Sequence, residues 1–371
     1  MADTNLLYQK IANDLRESIY SGTLKEGERL PTEMDLAKQY DVSRITSKRA
    51  LEELKQSGLA YSIRGSGTYV AKLSHRQEAD ISERKSLYKQ VVSMVIPFRS
   101  ADGGIVDTLT GVTNVLRAAG YMVDINCLPN REGDIRKGLM QICERGTAGL
   151  IYYPSSDSEN LDLLNMLYME KFPLVIIDKR IDALPLYSVV CDNQKGMRDV
   201  VEYLLSLGHK KIAFVTDKKI GLASSVRDRY FGYAQALREA GIIAQPGWVL
   251  DGTYKADDME RGKTLLRGLL QQGVTAVCAI NDGVAISVMR CLKLMGLEVP
   301  EDISLVGFNN TELSEYTVPA LTTVNAPAYD MGQHGANLIY AASNLSIRTP
   351  LKAEIPCNLI VRESCMEYTE K

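Results

Sequence analysis

This chain contains few histidines, has little net charge of either sign and has few long apolar runs. There are only 3 histidines in 371 residues and they lie far apart, which argues against a zinc site. The 7 cysteines are odd in number and scattered, so they indicate reduced, buried thiols rather than disulfides or metal ligands. With 43 basic and 46 acidic residues the net charge is −3, so any binding of nucleic acid must come from a local surface.

Signals for membranes and export are missing as well. No apolar run reaches the ~18 residues that a membrane span needs. The first residues of the chain lack the basic and apolar regions of a signal peptide. We therefore expect a cytoplasmic protein without membrane contact, and a hydrophobic fraction of 45% is typical of globular domains.

Residues 1–75 predict three helices followed by a β-hairpin. The evidence is the helical spacing of apolar residues, N-capping residues at Thr32 and Ser43, and a glycine-rich turn. The predicted helices cover residues 5–20, 33–40 and 44–56, and the hairpin strands flank Gly65-Ser66-Gly67. This order of elements is the outline of a winged helix-turn-helix domain.

The third predicted helix carries the residues that we expect to contact DNA. Arg44 and Lys48 are four residues apart and share a face, near the helix end that enters a major groove. The predicted DNA-binding residues are Ser43, Arg44, Thr46, Ser47, Lys48 and Arg49 on this helix, with Arg64, Gly65 and Ser66 at the hairpin tip. Because basic and acidic residues nearly balance in this segment, we expect acids such as Glu52 to lie mostly away from that face.

Four separated motifs in this segment resemble the DNA-binding domain of the GntR family of bacterial regulators. They are Leu30-Pro31-Thr32-Glu33-Met34-Asp35-Leu36-Ala37, Val42-Ser43-Arg44-Ile45-Thr46, Gly58-Leu59 and Gly65-Ser66-Gly67-Thr68-Tyr69-Val70. The resemblance implies that Arg44, Thr46 and Lys48 read the operator and that Gly65 touches its backbone. Met34 stands where the family often has Arg, so we expect that contact to be missing.

From residue 90 onward the chain alternates between short apolar runs and helical patterns. Residues 76–89 are mostly polar and are predicted to be a linker. The alternation in residues 90–371 predicts an α/β, doubly wound domain, and its length favours two lobes. Ligands of such folds bind beyond the carboxyl ends of the strands. No dinucleotide, Walker or nucleophile-elbow motif is present, so we expect a binding protein without cofactor or catalytic activity.

Five ordered motifs of this second domain resemble the effector domain of the LacI/GalR repressors. They are 207–215, 229–233, 279–282, 299–308 and 321–324. The resemblance implies a two-lobed periplasmic-binding-protein-like fold that binds a sugar or similar solute between its lobes. It further implies ligand contacts by Asp178, Arg229, Tyr254 and Asp282. Phe98 and Arg99 are expected to line the same cleft because they follow the first strand of the domain, although the loop after them is unlike the family sequence.

Together these observations predict a ligand-responsive transcriptional repressor of sugar-utilisation genes. A homodimer would bind a pseudo-palindromic, double-stranded operator, since two-fold protein symmetry matches two-fold DNA sites. A pentose such as arabinose is the leading effector, while a hexose, a disaccharide or a nucleoside remains open, as does corepression instead of induction. The alternative is a solute-binding or sugar-modifying protein whose first domain contacts other proteins, and it predicts no salt-dependent binding to DNA.

Overall fold

The computed structural model describes residues 3–20, 22–63, 65–71, 90–97, 104–128, 132–344 and 352–369. The chain divides into two compact units, Met1–Leu87 and Tyr88–Lys371. The predicted linker, residues 76–89, lies outside the described residues, and the domain boundaries on either side of it stay predictions.

The N-terminal unit contains the three helices and the hairpin expected from its sequence. Its elements are α1 (Asp3–Tyr20), α2 (Glu33–Gln39), α3 (Arg44–Gln56), β1 (Ala60–Ile63) and β2 (Gly67–Val70). A capping box begins α2, because the Thr32 hydroxyl accepts from the Asp35 amide and the Asp35 carboxylate accepts from the Thr32 amide. After α3 the chain turns at Gly58, whose φ of 62° is typical of helix ends.

One apolar core joins these elements. Ile11 and Leu15 of α1, Leu36 of α2, Leu54 of α3 and Val70 of β2 are all buried in it. The residues of α1 that repeat at helical spacing therefore face a single core, and burial of such a face is what stabilises short helices in a small domain. The antiparallel pair β1–β2 follows in register from Ala60 opposite Val70 to Ile63 opposite Gly67.

Two parallel sheets organise the C-terminal unit. Its strands are β3 (Val91–Pro97), β4 (Met122–Leu128), β5 (Gly149–Tyr152), β6 (Leu174–Ile177), β7 (Tyr187–Cys191), β8 (Ile212–Val215), β9 (Val249–Leu250), β10 (Ala276–Ala279), β11 (Ser304–Val306), β12 (Thr323–Asn325), β13 (Lys352–Ile355) and β14 (Asn358–Ile360). Its α-helices are α4 (Ile105–Ala118), α5 (Glu132–Glu144), α6 (Leu161–Met169), α7 (Asn193–Ser206), α8 (Ser224–Glu239), α9 (Met259–Gln271), α10 (Asp282–Leu294), α11 (Leu313–Tyr316) and α12 (Ala328–Asn344). Among the described residues, no helix is both long and apolar enough to cross a membrane.

The sheets form two lobes. The first lobe is built on the order β13-β7-β6-β5-β3-β4, and the second on β11-β10-β8-β9. The chain passes between the lobes at residues 191–193, 325–328 and 355–358, and β12 pairs with β14 beside two of these crossings. Because the strands of each sheet are parallel, their carboxyl ends meet at one edge. This is the α/β, two-lobed, doubly wound fold predicted from the sequence.

The central strands of the C-terminal unit coincide with continuous apolar runs, whereas some of its edge strands do not. All four residues of β5, β6, β8 and β10 are buried, as helices on both faces of a parallel sheet require. In the edge strands β4 and β13, exposed or charged residues interrupt the apolar ones. Their place in the sheet depends on pairing with β3 and β7 rather than on their own composition.

A glycine crossing brings α4 and α12 into close contact in the first lobe. A Cβ on Gly111 would lie 2.2 Å from the Tyr329 carbonyl oxygen, and one on Gly332 would lie 2.2 Å from the Thr108 carbonyl oxygen. We expect Gly111→Ala to destabilise the protein by about 1–3 kcal/mol in urea unfolding, because backbone atoms must move apart. Gly268→Ala is the matched control: in α9 an added Cβ meets nothing within 4 Å. It should be neutral or stabilise by about 0.5–1 kcal/mol. Equal midpoints for the two variants would contradict this close packing.

Candidate DNA surface and effector cleft

Hydroxyl groups anchor the first turn of α3. The Ser43 hydroxyl oxygen accepts from the Thr46 amide at 3.2 Å and lies 2.8 Å from the Thr46 hydroxyl oxygen. The Ser47 hydroxyl donates to the Glu33 carbonyl at 2.8 Å, which joins α3 to α2. These contacts set the orientation of α3 and therefore decide which of its side chains face outward.

Two of the predicted DNA-contacting side chains face inward. Ser47 is 0% exposed and Thr46 only 4%, and their hydroxyls are already bonded within the domain. The Thr46 hydroxyl pairs with Ser43 and the Ser47 hydroxyl with the Glu33 carbonyl of α2, beside the Arg44 side chain that also pairs with Glu33. Contact of these two residues with DNA stays a prediction.

The basic side chains of α3 do face outward, but each has a partner. Arg44 Nε lies 2.9 Å from Glu33 Oε2, and Lys48 Nζ lies 3.9 Å from Glu52 Oε1. The expectation that the acids avoid this face is therefore wrong for Glu52. Exposed ion pairs of this kind contribute only about 0–1 kcal/mol, so a phosphate group can replace either carboxylate.

Arg49 is exposed as well, but it leans toward α1. Its guanidinium carbon lies 4.1 Å from the centroid of the Tyr8 ring, which is a cation–π contact. The charge remains available at the surface while the ring restricts the direction of the side chain.

At the tip of the hairpin, backbone atoms are exposed. Gly65 has a φ of 80° and nothing within 4 Å of the position a Cβ would take, so an incoming phosphate could approach its amide. The Ser66 hydroxyl lies 2.6 Å from the Tyr69 hydroxyl and is thus held within the hairpin. Arg64, also predicted at this tip, lies outside the described residues.

In the C-terminal unit a narrow cleft lies where the two lobes meet. It is lined by Gly104, Ile105, Thr108, Tyr153, Asp178, Asn309, Ala326, Ala328 and Met331. Tyr153 and Asp178 directly follow β5 and β6, so the carboxyl ends of the first sheet supply one wall, and Asn309 of the second lobe supplies the other. Phe98 and Arg99, which were predicted to line this cleft, lie outside the described residues.

Of the predicted ligand residues in the described part of the chain, Asp178 alone lines the cleft. Its Oδ2 lies 2.6 Å from Nζ of the buried Lys179. Burial acts to raise the pKa of Asp178, but the charge of Lys179 and then that of Arg229 outweigh it and hold the pKa below its ordinary value. Since the Lys179 ammonium also lies 4.6 Å from the centroid of the Tyr153 ring, the cleft presents an ionised carboxylate beside an aromatic face.

Arg229 of α8 is mainly engaged inside the second lobe. Its Nε donates to Asn193 Oδ1 at 2.8 Å, one terminal nitrogen donates to the Ile280 carbonyl at 2.5 Å, and the other donates to Asn309 Oδ1 at 3.2 Å. Its guanidinium also lies 3.7 Å from the centroid of the Phe308 ring. Arg229 therefore positions Asn309 at the cleft, and its own contact with a ligand stays a prediction.

Asp282 is internal in this structure, and its contact with a ligand stays a prediction. It begins α10 and is fully buried, with Oδ2 accepting from the Thr311 amide at 2.6 Å and Oδ1 from the Thr323 hydroxyl at 2.5 Å. Burial raises the pKa of Asp282 even though these groups donate to it. Its role is to hold the loop after β11 against β12, and that loop carries Asn309.

Tyr254 is placed in the core of the second lobe, and its predicted contact with a ligand stays a prediction. It is fully buried, and its hydroxyl lies 3.0 Å from Ser287 Oγ and 3.6 Å from Cys291 Sγ of α10. Burial raises the pKa of its phenol, as expected for a core tyrosine. An aromatic residue just after a strand can turn toward the core as easily as toward a cleft, and here the groups on α10 provide its hydrogen-bonding partners.

An ionic network that sequence reasoning missed connects the lobes. Arg180 of the first lobe bonds Asp228 of α8 at 2.8 Å, and Arg227 of α8 bonds Asp157 at 3.0 Å and Asp182 at 2.8 Å in the first lobe. Burial raises the pKa of Asp228, although Arg180 and Arg227 oppose that effect. The only signal in the sequence was the run of charges that follows β6.

Hydrogen bonds from backbone amides extend the same contact. The Ser224 amide donates to Asp157 Oδ1 at 2.8 Å, and the Arg180 amide donates to the Ser224 hydroxyl at 2.7 Å. These bonds join the start of α8 to the loops after β5 and β6. They add to the contact between the two lobes.

The chemistry of the cleft suits a small polar solute. A carboxylate, an amide and a hydroxyl offer hydrogen-bond acceptors and donors, and Tyr153 offers an apolar ring face. Within the described ranges, no cluster of three or more His, Cys, Asp or Glu side chains could hold a metal ion.

Comparison with protein families matches the two units separately. Residues 7–70 match the model described as bacterial regulatory proteins, gntR family, and residues 201–365 match the periplasmic binding protein-like domain. The chain is 26% identical over 342 residues to an arabinose metabolism transcriptional repressor of Geobacillus stearothermophilus, with 90% of each chain covered.

A further relative and a solved structure extend this likeness. The chain is 33% identical over 241 residues to the HTH-type transcriptional regulator RegA of Clostridium saccharobutylicum, covering 64% of this chain and 71% of the relative. The structure of a transcriptional regulator CelR–cellobiose complex is similar with a TM-score of 0.67 at 22% identity, over 90% of this chain and 100% of that one.

Proposed function

The chain belongs to the bacterial transcriptional regulators that join a GntR-family DNA-binding domain to a LacI-type, periplasmic-binding-protein-like domain, and we propose that it is a repressor of sugar-utilisation genes. The observation that carries the proposal is the presence of both matches on one chain, in the order found across 90% of a relative named as an arabinose metabolism repressor. We assign residues 1–75 to DNA binding, 76–89 to a linker and 90–371 to effector binding and dimerisation. As a regulator of transcription without catalytic activity, it would act in the cytoplasm, where bacterial DNA lies.

The DNA-binding half of the proposal rests on the outward face of α3 and the tip of the hairpin. Arg44, Lys48 and Arg49 project from the first two turns of α3, and Gly65 leaves its amide open. Ser43 and Ser66 lie beside these groups and complete the proposed contact set. Such side chains near a helix N-terminus contact base edges and phosphates when the helix lies in a major groove.

The effector half rests on the cleft. Carboxylate acceptors bind the hydroxyl hydrogens of a sugar, and the ring of Tyr153 can pack against its C–H face. The ionised Asp178 is the central group of this proposal, and Asn309 lies opposite it on the second lobe. The names of the relatives favour a sugar, with a pentose such as arabinose as the first candidate.

Coupling between effector binding and DNA binding would use closure of the lobes. The ionic network joins the two lobes, so any ligand that changes lobe separation changes the stability of those ion pairs. A ligand shifts such an equilibrium only by its difference in affinity for the two states, typically about 1–3 kcal/mol. We propose that sugar binding lowers the affinity for the operator and thereby relieves repression.

A paired measurement on the full chain tests this function. Thermal shifts against a panel of pentoses, hexoses, disaccharides and nucleosides would identify an effector, because a ligand that binds the folded state raises its unfolding temperature. Duplexes selected from a random-sequence library would identify the operator. We expect one sugar to stabilise the protein and to weaken the selected complex. If no DNA is selected in either the presence or the absence of the panel, the proposed function is wrong.

We propose that the protein dimerises through an apolar surface at α11. Leu313, Tyr316 and Val318 are all exposed, Val318 at 88%, although they lie within a few residues of one another. Exposed apolar clusters of this kind mark association surfaces. A pseudo-palindromic operator requires two DNA-binding domains, so a second copy of this chain is the partner that we assign.

Charge at this surface should therefore separate the subunits. We expect the double variant Tyr316→Asp with Val318→Asp to sediment as a monomer. It should lose most of its affinity for the operator, because two DNA-binding domains are no longer joined in one molecule. Ile243→Asp is the matched control, since Ile243 is 81% exposed but isolated at the end of α8. A dimeric double variant, or a monomeric wild type, would contradict this surface.

A further inference from the structure

One exposed residue of α3 is neither basic nor polar. Ile45 is 80% exposed and is the one large apolar side chain of α3 that the described residues leave at the surface. Thr46 and Ser47 next to it are buried and bonded within the domain. The prediction of DNA contacts from basic and hydroxyl residues passed over Ile45, because the sequence alone does not show which residues of this turn face outward.

Three cationic side chains surround Ile45. Arg44 precedes it directly, while Lys48 and Arg49 follow at three and four residues and so lie beside it on the helix surface. All three are exposed, and the Arg44 guanidinium also pairs with Glu33 of α2 at one edge of this face. On a helix in a major groove, side chains at the edges of such a face reach phosphates and those at its centre reach base edges.

Ile45 adds little to the fold of its own domain. It is absent from the apolar core that joins α1, α2, α3 and the hairpin. As a β-branched residue on a helix surface it is also a weaker helix former than Ala, Lys or Gln. Single exposed apolar residues are common, so its position at the centre of the cationic face, in the first turn of α3, is what points to a ligand.

We infer that Ile45 reads a thymine in the operator by packing against its C5-methyl group, an inference that rests on the proposed DNA-binding function. The thymine methyl is the apolar feature of the major groove, and apolar side chains distinguish it from the hydrogen-bonding edges of the other bases. Arg44 and Lys48 would contact the DNA backbone and neighbouring bases. Ile45 would make binding depend on thymine at one position of each half-site.

Uracil substitution tests this contact, since deoxyuridine pairs like thymidine but lacks only the methyl group. The operator is first selected from a random-sequence library with the full-length wild-type protein. Each thymine of the selected duplex is then replaced by uracil in turn, and binding is followed by fluorescence anisotropy. Wild type, Ile45→Ala and the control Leu7→Ala are compared, Leu7 being an exposed apolar residue of α1.

We expect uracil at one position of each half-site to weaken wild-type binding about fourfold, the effect of one methyl group leaving an apolar contact. Ile45→Ala should bind the thymine duplex about tenfold more weakly and should no longer distinguish uracil from thymine there. Leu7→Ala should behave as wild type. Circular dichroism of each variant serves as the check that its helices are retained.

The two possible failures are separable. If the wild type selects no duplex, the proposed function itself is wrong and this inference falls with it. If a duplex is selected but Ile45→Ala keeps the same thymine dependence at every position, Ile45 does not read thymine, while the DNA-binding function stands. The same conclusion follows if Ile45→Ala binds the thymine duplex as tightly as wild type.

Discussion

Replacing both Arg44 and Lys48 by alanine should weaken operator binding by about 10- to 100-fold, or more at physiological salt, while leaving the protein folded. A lost bidentate base contact corresponds to about 1–3 kcal/mol, and each lost phosphate contact lowers the salt slope by about one. Both side chains are exposed, and the two carboxylates that they leave, Glu33 and Glu52, remain in water. Their removal should therefore have little effect on the free energy of unfolding.

Another ion pair of the same domain supplies the control. Arg16→Ala removes a half-buried guanidinium of α1 that pairs with Glu53 at 3.1 Å, and should leave operator affinity nearly unchanged. Anisotropy titrations at several salt concentrations measure both affinity and slope. If the double variant binds the operator with the affinity and salt slope of the wild type, α3 does not belong to the proposed DNA surface.

Asp178→Asn should abolish the effector response while operator binding stays intact. A charge-assisted hydrogen bond from a sugar hydroxyl to this carboxylate is worth about 1.5–3 kcal/mol, which corresponds to roughly 10- to 150-fold in affinity. Asn keeps the shape of the side chain, so the loop after β6 should keep its path. The operator contacts belong to the other compact unit of the chain and should not change.

Isothermal calorimetry with the stabilising sugar, run beside operator titrations, measures both effects. Asp162→Asn is the matched control, because it removes a carboxylate of the same lobe that pairs with Arg136 at the surface at 2.7 Å. The substitution at Asp178 also leaves the buried Lys179 without its carboxylate, so unfolding curves must accompany the titrations. Wild-type sugar affinity in a folded Asp178→Asn protein would show that Asp178 serves only to neutralise Lys179.

Effector binding and the ionic contacts between the lobes occupy adjacent parts of one loop. Asp178 faces the cleft, and Arg180, two residues further on, bonds Asp228 of the opposite lobe. A ligand that binds Asp178 therefore contacts the same segment that supplies Arg180 to the ion pair between the lobes. This arrangement gives a direct physical connection between occupancy of the cleft and the relative position of the lobes.

Features set by local chain chemistry were readable from the amino-acid sequence. The caps at Thr32 and Ser43, the turn at Gly58 and the buried strands such as β5 depend on residues that are neighbours in the chain or on continuous apolar runs. The family motifs likewise identified both domains before any contact was known.

The direction in which individual side chains point depended on contacts with residues that are distant in the chain. Asp178 and Asp282 both follow buried strands, yet Asp178 lines the cleft while Asp282 is bonded to Thr311 and Thr323. Ser47 and Ile45 lie two residues apart, yet Ser47 is bonded to the Glu33 carbonyl and Ile45 is left in water. The two aspartates are alike in residue type and in following a buried strand, and Ser47 and Ile45 belong to the same helical turn. What separates the members of each pair is which groups the fold brings close, because the buried polar groups of Ser47 and Asp282 have hydrogen-bonding partners from other elements.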